Sequence, residues 1–101
     1  MVKQAMADYL DVCAELQSVW EQNLMEFLQA DLELGVAMLH TAKVSGSPAV
    51  RRKLLANVKT VIETVARFEG RISNEATVSV IRDQADQLQR GLVLIEGDII
   101  Q

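Results

Sequence analysis

The chain has 101 residues, half of them hydrophobic but only 4% aromatic, and a formal net charge of -4. That length suits one modest core and excludes two, and a core of Leu, Val, Ile, Ala and Met favours helices packed on helices. The acidic balance, with a pI near 4.9, argues against a nucleic-acid partner, because phosphate selects clustered positive charge.

Other classes fall away on residue counts. One cysteine cannot close an internal disulfide, and one histidine excludes multi-histidine metal sites. There is no glycine-rich phosphate loop of the Gly-x-x-x-x-Gly-Lys kind, so no metal, nucleotide or other cofactor is expected. No glycine-free apolar run is longer than Leu92 to Ile95, far short of the roughly 20 residues that span a bilayer. The first residues are amphipathic and already acidic at Asp8 and Asp11, unlike a secretory signal. A cytoplasmic protein without a membrane span is expected.

Helix A is predicted from about residue 3 to 44. Its apolar stripe runs Val2, Met6, Tyr9, Cys13, Leu16, Trp20, Leu24, Phe27/Leu28, then Met38 and Ala42, interrupted by Asp31 and Gly35. Alternating steps of three and four hold such residues on one side of a helix, close to the seven-residue repeat of helices packed lengthwise. Cys13 lies within this stripe and is expected to be a buried thiol. Gly35 most simply admits a neighbouring helix, and Asp31 is expected to pair with a helix B arginine or to lie at the bundle's edge. No Gly or Pro occurs between residues 3 and 34, so no kink is expected.

The strongest break is Val44-Ser45-Gly46-Ser47-Pro48. Gly46 suits a left-handed closing residue, Ser47 an N-cap, and Pro48 a first helical position. Helix B is predicted from about 48 to 72, with a stripe of Val50, Leu54, Val58, Val61, Val65, Phe68 and Ile72. A weaker break at Gly70-Arg71-Ile72-Ser73-Asn74 offers two capping residues ahead of Glu75, an acid well placed at a positive helix end. A continuous B–C helix is the alternative. Helix C is predicted from about 74 to 96, with a stripe of Val78, Ile81, Ala85, Leu88, Leu92 and Ile95, continuing to Ile99. Gly97 is the expected closer, and 98–101 a short tail.

Charge divides the chain in the same way. Residues 1–46 hold two basic and seven acidic side chains, residues 47–72 six and two, and residues 73–101 two and five. Two acidic helices beside a basic one suit a compact up-down-up bundle, although exposed pairs set orientation more than stability. The Arg51-Arg52-Lys53 cluster sits at a helix start, where the dipole disfavours it. It reads as a solvated face or as a docking point for an acidic partner.

Length carries the functional argument. At 1.5 Å per residue helix A is about 60 Å long, and B and C are each about 35 Å. B and C can cover only the half of A nearest the 44–48 turn. The half bearing Val2, Met6, Tyr9, Cys13, Leu16 and Trp20 is left with an exposed apolar stripe, which marks an interaction site. Trp20 stands at the margin, where amphipathic aromatics often anchor contacts.

The expected architecture is an all-α antiparallel three-helix bundle, one domain over 1–101, forming a homodimer through those six residues. Its expected role is non-enzymatic protein binding, as an adaptor, chaperone or assembly factor. The run Tyr9-Leu10, Trp20, Leu24, Leu28, Leu32, Leu39, a Ser/Gly/Pro link, then Arg52-x-Leu54-Leu55-x-x-Val58-x-x-Val61-Ile62 resembles the small helical chaperones of flagellar and type III export. That resemblance implies a cytosolic protein holding apolar segments of an export substrate. Glu33-Leu34-Gly35 with Ser47-Pro48 is similar to phasins, helical proteins that coat storage granules.

A different function class rests on Leu39-His40-Thr41-Ala42-Lys43, which resembles the His-x-x-Lys core of histidine phosphotransfer domains. That resemblance implies an exposed phosphoaccepting His40 assisted by Lys43. Val44 stands where that family usually has glycine, and the helix ends just beyond it. The plainer reading of His40 is a surface histidine near a helix C-terminus.

Overall fold

The computed structural model describes the backbone of residues 2–100 and the side chains of residues 6–97. Three α-helices account for nearly all of it: α1 (Val2–Val44), α2 (Pro48–Phe68) and α3 (Glu75–Ile100), with a single 3-10 turn at Glu69–Arg71. No strand occurs among the described residues, so the fold is all-α.

The linkers follow their local chemistry. Ser47 adopts an extended conformation and its hydroxyl accepts from the Val50 amide at 3.4 Å, with Pro48 opening α2. This satisfies one of the donors that every helix start leaves unpaired. Gly46 does not take the expected left-handed role, because no glycine among the described residues has a positive φ. Instead, Arg51 reaches back across the turn. Its Nε donates to the Ala42 carbonyl at 3.0 Å and its Nη2 to the Ser45 carbonyl at 2.6 Å. The basic cluster at the start of α2 is therefore partly an α1 C-terminal cap, a third role beside the two expected from sequence. Cations suit that end of a helix, where carbonyls lack amide partners.

At the second break α2 ends at Phe68 and tightens into the 3-10 turn, short of the expected Ile72. Asn74 caps α3 by accepting from the Thr77 amide at 3.2 Å. Arg82 on α3 pairs with Glu69 at 3.1 Å. A second ion pair among the described residues, Lys59 to Glu96 at 2.8 Å, joins α2 to α3. Gly97 does not close α3, which continues to Ile100, so the expected tail is helical as far as that residue. A lone glycine costs a helix about 1 kcal/mol, and no proline follows to enforce a stop. Ile99 and Gln101 have side chains outside the described residues.

The core lies between the three helices. α1 contributes Leu28, Leu32 and Ala42; α2 contributes Leu55, Val58, Val61 and Val65; Ile81, Ala85, Leu88 and Leu92 come from α3, with Ile72 closing one end. Gly35 is a point of close approach. A Cβ there would stand 2.8 Å from Leu88 Cδ2 and 3.3 Å from Val61 Cγ1. The expected close approach is therefore made by both neighbouring helices at once. Gly91 plays the same part on α3, where a Cβ would meet Leu39 Cδ2 at 2.5 Å. Val50, expected in the α2 stripe, is 48% exposed, because it lies at the turn, beyond the buried run.

The molecule is long. Its principal extents are 71 × 22 × 15 Å and its radius of gyration is 19.0 Å, against about 13 Å for a compact domain of this size. α1 supplies the excess length.

Candidate interaction surface

Ser73, in the linker before α3, donates its hydroxyl to Glu21 at 2.8 Å. That contact marks where the other helices stop covering α1. Every residue from Met6 to Trp20 is exposed. The covered part runs from Glu21 to Val44, where buried positions recur at Leu28, Leu32, Gly35 and Ala42. α1 therefore projects from the bundle as a single uninterrupted helix, and residues 2–20 make up about 28 Å of it.

The projection is apolar where it is bare. Met6 is 62% exposed, Tyr9 68%, Leu16 64% and Trp20 44%. Leu10, Val12 and Val19 widen the patch. Cys13, expected to be buried, is an exposed free thiol. The stripe containing it is amphipathic, but α2 and α3 end before reaching it. Val2 belongs to α1, but its side chain lies outside the described residues.

The apolar pattern divides where the bundle begins. Leu28 and Leu32 turn into the core, while Phe27 is 52% and Leu34 55% exposed. Asp31 is half-buried at the edge of the packed face, and no ion pair involves it among the described residues. Its expected arginine partner is absent, and the edge position remains.

His40 is exposed and lies on the opposite flank of α1. It lines a shallow groove of about 440 Å³ with Val36, Leu39, Lys43, Gly91, Leu94 and Ile95. Leu94 is 70% exposed at the rim. Val36 and Lys43 stand about one helical turn before and after His40 on α1. The α3 wall of the groove follows from Gly91, whose missing side chain lets Leu39 lean across.

Among the described residues no group of His, Cys, Asp or Glu converges to hold a metal ion. No buried side-chain polar atom lacks a partner there. No helix among them is long and apolar enough to cross a membrane. Comparison with family models, curated proteins and solved structures finds no match for this chain.

Proposed function

We propose that this chain is a non-enzymatic protein-binding module, an adaptor or an export or assembly chaperone, built as an antiparallel three-helix bundle with a projecting arm. It acts in the cytoplasm as a homodimer through Met6, Tyr9, Cys13, Leu16 and Trp20, with Val2 extending the face. The observation that carries this reading is the unbroken exposure of Met6–Trp20 together with its apolar content. A solitary helical segment of that length is marginal in water, and helices draw most of their stability from a packed apolar face. Contiguous apolar surface of this kind marks a contact site. Light scattering at micromolar concentration should return twice the 11.2 kDa chain mass. A steady single-chain mass would remove the homodimer.

A second reading has its own observation. His40 is exposed and shares a groove with Lys43, as an accessible phosphoacceptor with a nearby cation requires. Incubation with acetyl phosphate, with His40→Gln as control, separates the two. Label that depends on His40 would favour phosphotransfer, and its absence leaves the binding module.

A further inference from the structure

We infer that α1 carries a second heptad seam along its whole length and that this seam takes a second copy of the same helix, antiparallel and in one register. The inference rests on the homodimer reading and extends it from the arm to the full helix.

The seam begins with Met6, Tyr9, Cys13, Leu16 and Trp20, in steps of three and four. The same steps continue without a break through Asn23, Phe27, Ala30, Leu34, Ala37 and Thr41 to Val44. Every one of these positions is exposed. Over the covered half of α1 they lie away from Leu28, Leu32 and Gly35, which face α2 and α3. A strict seven-residue repeat kept over this distance is the pattern of a helix that winds about another helix. The bundle has no third partner to offer it.

Size and charge choose the occupant and its direction. When the seam is laid antiparallel on itself about Met25, Trp20 faces Ala30, Tyr9 faces Thr41, Cys13 faces Ala37, and Leu16 faces Leu34. The two largest side chains of the seam, Trp20 and Tyr9, thus meet small ones, and Phe27 faces Asn23 instead of a second Phe27, which avoids overlap in the layers where it would be worst. A parallel pair would set Trp20 on Trp20, Phe27 on Phe27 and Ala30 on Ala30, crowding some layers and emptying others. Between residues 4 and 42 the chain has seven acids and no lysine or arginine, so parallel pairing would stack like charges along its length. Antiparallel pairing relieves this at the ends, where Asp8 and Asp11 come beside Lys43 of the second copy. It also lays each arm against the other copy's bundle, so neither arm projects bare.

Cys13 makes the register measurable. In this arrangement it faces Ala37 of the second copy and lies far from the second Cys13. Mild oxidation should leave the wild type uncrosslinked, whereas Ala37→Cys should convert to a covalent dimer. Ala37→Cys combined with Cys13→Ser should stay uncrosslinked. Helicity measured alongside shows that each variant is folded. A wild-type dimer that crosslinks through Cys13 itself would overturn the antiparallel register and leave the homodimer standing. A dimer in which neither protein crosslinks would also overturn the register. A single-chain mass by light scattering for the wild type would overturn both readings.

Discussion

Arg51 closes the helix that precedes its own: its guanidinium holds the Ala42 carbonyl at 3.0 Å, nine residues back across the α1–α2 turn. The same group takes the Ser45 carbonyl, so one side chain ties the end of α1 to the start of α2. Hydrogen bonds from a charged donor contribute about 1.5–3 kcal/mol when sheltered. Arg51 is half-buried, which puts the expectation for Arg51→Ala near the lower end, about 1–1.5 kcal/mol. Lysine lacks the planar fork and should restore only part of it. Denaturant unfolding of the two variants checks both statements.

The glycines form a graded series. Gly35→Ala would press a methyl against Leu88 and Val61, both buried. Overpacking of that kind costs about 1–3 kcal/mol and outweighs the roughly 1 kcal/mol that alanine returns to a helix. At Gly97 nothing lies within 4 Å of the added atom, so Gly97→Ala should stabilise by up to about 1 kcal/mol. Gly91→Ala falls between them, because Leu39 borders an open groove and has room to turn. Thermal unfolding should rank the midpoints Gly97→Ala above wild type and Gly35→Ala below it.

Core truncation sets the scale for comparison. Ile81 and Leu28 are fully buried between the helices, and removing such side chains costs about 2–5 kcal/mol. Ile81→Ala should therefore lower the stability of the bundle and, through it, of everything attached. Calorimetry reads the effect directly.

Substitutions on the arm should behave in the opposite way. Leu16 and Trp20 are 64% and 44% exposed in one chain. Burial between chains is worth about 1.5–3 kcal/mol per side chain, and a two-fold contact counts each substitution twice. Leu16→Asp with Trp20→Asp should give a monomer or a short-lived dimer while the helicity of residues 24–96 survives. Wholesale unfolding of the double variant, where the wild type is folded, would make folding and association a single event.

Much of this architecture was legible from residue spacing. Ser47 and Pro48 announced the start of α2, and the stripes of α2 and α3 named most of the buried residues, Val58, Val65, Ile81 and Leu92 among them. The misreadings share a cause. A stripe reports that a helix is two-sided and says nothing about what lies against it. Cys13 therefore reads as buried in the stripe, although nothing among the described residues covers it. After Leu28 the three-residue step of the stripe lands on Asp31, whereas the buried position is Leu32, four residues on. The outer seam inferred above is faint in the sequence, because Ala30, Ala37 and Thr41 dilute its apolar signal; what marks it is the exposure of these positions in the folded chain. Gly46 and Gly97 were read as closers by residue type alone, yet Arg51 supplied one closure and α3 continued past the other site.

Amide hydrogen exchange over residues 6–20 tests the central claim most directly, since these backbone groups are protected only if the arm is packed. Slow exchange is predicted at concentrations where the mass is twice that of one chain, falling to rapid exchange on dilution while α2 and α3 stay protected. Rapid exchange in the dimer, or equally slow exchange in a monomer, would contradict burial of the arm between two chains.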